Sequence, residues 1–287
     1  MQSTVDQLVE VEMVRRIDPI DRKVAARRVS LSAVAELKTL SAGLEDSLDS
    51  LADAAQFSGT DSERLSKLTE SVKGFVASYN ALQAGIVKYG TIDLADPNRD
   101  TVSEVPLFGD PTLIKLRQMI RQGYSAGLTY ANTLSDRTDA TTTVGFTELG
   151  VSRKADGTLA FSKSKLATSS ALDTTVLSRP TDGDLLADSA YAQPKLLDRF
   201  STGVSSSLKT ALASASFGIV GIFDLRTSQL NNQLYTLNNK RVSESAKIEA
   251  ERARFLRTYS TLNSLLANMS STSNFLTAQL ASLTKNN

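Results

Sequence analysis

Apolar residues recur every three or four positions over most of the chain, which is the period of an amphipathic α-helix. The pattern predicts a short helix over residues 4–17 and a long one from about Asp18 to about Phe57. Asp18 and Pro19 stand where an N-cap and a first-turn proline belong, so they mark the start of the long helix. The apolar positions of the long helix are Ile20, Val24, Leu31, Val34, Leu37, Leu44, Leu48 and Leu51.

Shorter helical patterns follow, separated by polar turns. Further helices are predicted over residues 65–90, 109–122, 163–173 and 194–214, with loops over residues 91–108 and 135–143. The period changes from helical to strand-like around Asp156-Gly157, a dipeptide that favours tight hairpins. Two short apolar runs flank this dipeptide, so the sequence predicts one β-hairpin over residues 148–161.

The helical pattern near the carboxyl end extends from about Ile219 to about Leu283. One heptad position holds Ile248, Phe255, Leu262, Met269 and Leu276. The other holds Tyr259, Leu266 and Leu280, and is interrupted by Arg252 and Ser273. A periodic segment this long is typical of a coiled coil, and the alternative is an ordinary buried helix of a bundle.

The other faces of this C-terminal helix are rich in Ser, Thr, Asn and Gln, so the helix is marginally stable by itself and its apolar seam requires a partner. The N-terminal helix is the expected partner. Its basic residues Arg22, Lys23, Arg27 and Arg28 are expected to face Glu249 and Glu251. The residues expected to bind partner helices are Ile20, Val24, Leu31, Val34, Ile248, Phe255, Tyr259, Leu262, Leu266, Met269, Leu276 and Leu280.

These patterns predict a mainly α fold, in which long N- and C-terminal helices form a coiled coil and a central helical region carries a small β-hairpin. We expect three parts. Residues 1–57 form an N-terminal helical leg and the start of the core, residues 58–218 a central α+β core, and residues 219–287 a C-terminal coiled-coil helix.

The composition argues against several classes of function. The chain has no histidine, cysteine or tryptophan, which excludes disulfides, thiol nucleophiles, zinc sites of the Cys/His kind and histidine general bases. Its net charge of +1 gives no support for a nucleic-acid partner. No apolar run is long enough to span a membrane, and the first residues lack the pattern of a Sec-type signal peptide. We therefore expect no enzyme, no cofactor, no metal, no nucleic acid and no membrane insertion.

Three candidate motifs are weak. Ser-x-x-Lys begins at Ser162 and at Ser206, but the companion motifs of acyl-enzyme hydrolases are missing. The acidic residues within 93–104 lack the spacing of a calcium loop. The basic residues between Arg15 and Arg28 have no interleaved aromatic residues, so they are expected to form the polar face of a helix.

Six stretches, taken in order, resemble one family, the flagellar hook-associated protein 2 family of filament-capping proteins. The stretches are STVDQLVEVEMVRRIDPIDRKV, LADAAQF, VKGFVASYNAL, PLFGDPTLIKLRQMIR, ELGVSRKADGTLAFSKSKL and LNNKRVSESAKIEAERARFLRTYSTLNSLLANMSSTSNFLTAQL. Family members usually carry β-rich outer domains between the two conserved segments. Here only SGTDSER separates Phe57 from the next helix, so these domains are either naturally absent or deleted.

The resemblance implies a ring-like homo-oligomer at the extracellular tip of the bacterial flagellum. Terminal helices of the family project as legs toward flagellin, and the cap retains exported flagellin and promotes its insertion. The implied partners are other copies of the chain, flagellin, the flagellar type III export machinery and an export chaperone. Another flagellar axial or junction protein, or a coiled-coil adaptor, is the alternative.

Overall fold

A computed structural model describes residues 2–92, 105–131, 141–171, 195–216 and 221–285. Its α-helices are α1 Gln2–Arg16, α2 Asp18–Ala52, α3 Asp61–Gly90, α4 Pro111–Ala126, α5 Lys163–Ala171, α6 Leu196–Ser201, α7 Ser207–Ser216 and α8 Ile222–Lys285. This arrangement confirms the mainly α class, with long helices at both ends of the chain. Parts of the predicted elements, at 93–104, 135–140, 172–173, 194 and 219–220, lie outside the described residues.

The chain divides into two compact units. One unit comprises Met1–Arg28 with Asn231–Asn287, and the other comprises Val29–Leu230. The three-part division expected from the sequence stays a prediction.

The end of α2 differs from the prediction. The helix stops at Ala52 instead of near Phe57, because Asp53 adopts extended backbone angles. The Asp53 carboxylate accepts a hydrogen bond from the Ala55 N–H at 3.1 Å, which caps a short 3₁₀ helix, Ala54–Phe57. The side chain of Phe57 is buried and its ring meets that of Phe200 edge to face at 5.5 Å. The apolar pattern extends to Phe57 although α2 ends at Ala52, so the pattern alone does not locate the end of this helix.

The second unit contains two small antiparallel sheets. Strands β3 Val151–Arg153 and β4 Leu159–Phe161 form the predicted hairpin, with Ser152 opposite Ala160. The turn contains Gly157 at a φ of +86°, a conformation that glycine adopts without strain. The hairpin prediction is therefore confirmed.

The other sheet was not predicted. Its strand order is β2-β1-β5, where β1 is Leu128–Ala131, β2 is Thr141–Val144 and β5 is Val204–Ser206. Part of the predicted loop over 135–143 is therefore strand. The single helix predicted over 194–214 is also wrong. Gly203, at a φ of +90°, ends the first helical segment, and β5 then pairs with β1 before α7 begins.

Aromatic rings fill the core of the second unit between α3, α4 and the turn after β2. The Phe146 ring stacks on Phe75 at 4.8 Å and on Tyr124 at 5.1 Å. Asn80 of α3 fixes the hairpin against this core, since its side-chain amide bonds both the N–H and the carbonyl of Leu159, at 2.7 and 2.9 Å. Both backbone polar groups of the buried residue Leu159 therefore have a hydrogen-bond partner, as buried polar groups normally do.

Candidate partner-binding helix face

One face of α1 packs against α8 within the first unit. Val5 of α1 and Ile248 of α8 are both buried, with 1% and 3% of their surfaces exposed. A small open pocket of about 100 Å³ lies along the contact between the two helices. Its lining residues are Leu8, Val9, Val11, Glu12, Ile248, Glu251, Arg252 and Phe255. Two of the residues predicted to bind a partner helix, Ile248 and Phe255, therefore lie at the contact between α1 and α8.

The turn between α1 and α2 and the first turns of α2 continue this buried face. Ile17, Ile20 and Val24 are buried in steps of three and four residues. Each apolar side chain covered in this way contributes about 1.5–3 kcal/mol. Of the other residues predicted in α2, Val34 is buried in the core of the second unit and Leu31 is half-buried beside that core.

Ion pairs show that the helices of the first unit run antiparallel. Asp6 pairs with Arg252 at 3.0 Å, and Asp21 pairs with Arg241 at 2.7 Å. From Asp6 to Asp21 the residue number rises, whereas the number of the partner in α8 falls from Arg252 to Arg241. Between these two pairs, Arg16 lies 3.3 Å from Glu251. Such exposed or half-exposed pairs contribute up to about 1 kcal/mol each, so they set the register more than the stability.

The predicted charge partners are wrong. Glu251 pairs with Arg16 of α1, and Glu249 lies 3.9 Å from Arg252 of its own helix. The basic residues named in the prediction have no ion pair among the described residues, and these are Arg22, Lys23, Arg27 and Arg28. The offset between the helices therefore differs from the one inferred from charge alone.

The apolar seam of α8 continues beyond its contact with α1. Phe255 and Tyr259 are half-buried, whereas every residue from 260 to 278 is exposed. We call Leu262, Leu266, Met269 and Leu276 the exposed seam. Their exposed fractions are 47%, 55%, 61% and 55%. Leu280 is 64% exposed, and the apolar Leu265 and Phe275, which the sequence analysis did not select, are exposed as well.

The distribution of charged residues along α8 changes near Tyr259, where the exposed segment begins. No charged residue occurs at residues 258–284, although the segment before Arg257 is rich in them. The charged segment is the part that forms ion pairs with α1 and α2. A helix surface with large apolar side chains, no charges and no cover within the described unit is the kind of surface that packs against another helix.

The two Ser-x-x-Lys motifs have a structural role. The hydroxyl of Ser162 accepts a hydrogen bond from the Lys165 N–H at 3.4 Å, at the start of α5. The hydroxyl of Ser206 accepts one from the Lys209 N–H, also at 3.4 Å, at the start of α7. Both serines therefore cap helices, which explains the spacing. Among the described residues, no cluster of acidic side chains could hold a metal, and no helix is long and apolar enough to cross a membrane.

Comparison with known proteins gives one family. Residues 60–271 match the family described as "Flagellar hook-associated protein 2 C-terminus". The match covers α3 to most of α8 and includes the exposed seam as far as Met269. No curated protein matches the chain.

Proposed function

This chain belongs to the flagellar hook-associated protein 2 family, and we propose that it acts as the cap of the flagellar filament. Membership places the chain in the assembly of the bacterial flagellum, as a structural component. In the proposed function, copies of the chain form a ring at the extracellular tip of the filament. The ring retains exported flagellin and promotes the insertion of each subunit.

The observation that carries this proposal is the exposed seam of α8. A seam of four large apolar residues exposed to water is unfavourable by about 25 cal/mol per Å² of apolar surface. Packing against a partner helix removes this cost. We propose that helices of flagellin at the growing tip cover the seam, so that the terminal helices act as legs that hold the cap on the filament.

The proposal includes a route by which the chain reaches the tip. We propose that the chain leaves the cell through the flagellar type III export machinery, escorted by an export chaperone. The absence of cysteine is compatible with this route, since no disulfide has to form before or after export.

Filament growth in a capless strain that leaks flagellin tests the function. The unchanged chain should restore filaments and stop the leakage. Leu266→Asn places a polar group in the seam, and we expect it to lose most of this activity while α8 remains helical. Leu266→Met preserves the apolar volume and should retain activity. Ser264→Asn, on the opposite face of the same helix, is the matched control and should behave like the unchanged chain.

The same experiment separates the cap from the alternatives. A junction protein or a coiled-coil adaptor would not stop flagellin leakage at the tip. If the unchanged chain failed to restore filaments, the capping function would be wrong. If Leu266→Asn restored them as well as the unchanged chain, capping would stand and the role of the seam would be wrong.

A further inference from the structure

Helix α1 has two apolar faces, and only one of them is covered by α8. The covered face includes Val5 and Val9. The opposite face carries Val14, which is 54% exposed, and Val11, which is 62% exposed and also borders the pocket beside α8. A helix that is apolar on both sides is normally covered on both sides. The second face therefore indicates a second partner.

The residues around these two valines form one surface depression. Its lining residues, which we call the outer face, are Gln7, Glu10, Val11, Val14 and Arg15. Gln7, Val11 and Val14 follow each other in steps of four and three, as the inward positions of a coiled coil do. Glu10 and Arg15 then occupy the two flanking positions, one on each side of the seam.

We infer that the outer face of α1 packs in parallel against the outer face of α1 from a second copy of this chain. In a parallel pair, a flanking residue meets the residue five positions later on the partner helix. Glu10 of one copy then meets Arg15 of the other copy, and the exchange occurs twice. In an antiparallel pair the same positions place Glu10 against Glu10 and Arg15 against Arg15, which is repulsive.

The charges on this face are available for the contact. Glu10 is exposed and has no ion pair among the described residues. Arg15 is 66% exposed and gives one nitrogen to Glu12 at 3.1 Å, which leaves further N–H donors on its guanidinium. Gln7 is the single polar residue of the seam, and a polar residue at such a position fixes the register of a pair.

A pair in which both copies use the same face is an isologous contact, which closes at two copies. In a ring of more than two copies it therefore joins α1 helices two at a time, and other surfaces of the chain close the ring. The seam has only two apolar layers, so the contact is weak between two isolated copies and gains strength when other contacts hold the copies side by side. This inference does not depend on the partner of the exposed seam of α8.

A cysteine placed on the outer face tests the orientation, because the natural chain contains no cysteine. A disulfide requires Cα atoms about 4.4–6.8 Å apart. In the full chain, we expect Val11→Cys to form a disulfide-linked dimer under mild oxidation, at least about tenfold faster than Met13→Cys. Met13 is the matched control, since it lies on the same helix and is 47% exposed. Equal rates for the two variants would overturn the inference.

Charge reversal tests the pairing of Glu10 with Arg15. Glu10→Arg or Arg15→Glu alone should weaken self-association of the full chain by about tenfold at low salt, and the double variant should recover it. Glu70→Lys, which reverses an exposed charge of α3, is the control and should leave association unchanged. The inference would be overturned if the single variants associated normally or if the double variant failed to recover association. It would also be overturned if the unchanged chain stayed monomeric at all concentrations. Filament growth is scored separately, so its failure counts against capping alone.

Discussion

The carboxylate of Asp110 lies 2.7 Å from the guanidinium of Arg226, and both side chains are largely buried. The same carboxylate accepts a hydrogen bond from the Thr112 N–H at 2.9 Å and so caps α4. One side chain therefore joins the start of α4 to the first turns of α8. A buried charge loses its stabilisation when its partner is removed, which makes this pair a sensitive point of the second unit.

We expect Asp110→Asn to lower the free energy of unfolding by about 2–3 kcal/mol, because asparagine still caps the helix but leaves the Arg226 charge unpaired. Asp110→Ala removes the cap as well and should cost about 1 kcal/mol more. Denaturant unfolding measures both differences. Asp224→Asn is the control, since the Asp224–Lys38 pair is half-exposed and its loss should cost less than about 1 kcal/mol. Equal losses for Asp110→Asn and Asp224→Asn would contradict this account.

Two glycines in helices should respond in opposite ways to alanine. A Cβ atom on Gly123 of α4 would lie 2.6 Å from the Cα of Leu208 in α7, so the helices would have to move apart. We expect Gly123→Ala to destabilise the fold by about 1–3 kcal/mol. A Cβ on Gly74 of α3 would meet nothing within 4 Å, and Gly74→Ala should stabilise the fold by about 0.5–1 kcal/mol. Thermal unfolding compares the two variants, and a stabilising Gly123→Ala would refute the close approach of α4 and α7.

The pKa of the Glu36 carboxyl should depend on Tyr89. The Tyr89 hydroxyl donates a hydrogen bond to this carboxylate, and this bond, with a second one from Lys88, lowers the pKa of Glu36 below its ordinary value. A lowered pKa means that the contact stabilises the fold above the ordinary carboxyl pKa and that this stabilisation is lost as the pH falls through the folded value. Tyr89→Phe should raise the pKa of Glu36, measured by NMR titration, and an unchanged pKa would show that Lys88 alone sets it.

The sequence predicts most of the helices and the hairpin because these elements have strong local signals. Apolar periodicity defines α3 and α8, and Asp156-Gly157 defines the hairpin turn. The three-stranded sheet has no comparable signal. The strand Thr141–Val144 resembles a polar loop because three of its four residues are threonine, and only its pairing with β1 makes it a strand. Strands this short depend on pairing across the fold, which periodicity does not reveal.

The candidate site was predicted in part. Heptad spacing identified Leu262, Leu266 and Met269 as one seam, but spacing alone cannot say where the covering helix ends. That point is set by the offset between α1 and α8, which depends on pairs such as Asp6 with Arg252. The pattern of charges predicted the wrong offset between these helices. Each exposed ion pair contributes little free energy, so several different pairings are nearly equal and the sequence does not show which one forms. The outer face of α1 was missed because Val11 and Val14 do not repeat beyond a single short helix.

Photo-crosslinking from the exposed seam to flagellin tests the central claim most directly. A single cysteine at Leu266 of this cysteine-free chain carries a thiol-linked photo-crosslinker, and the labelled protein is added to growing capless filaments. A cysteine at Ser264, on the opposite face of α8, is the control. The account predicts a flagellin adduct from Leu266→Cys that is at least about tenfold more abundant than that from Ser264→Cys, since only the seam faces the partner helix. Equal adduct yields, or no flagellin adduct from position 266, would contradict it.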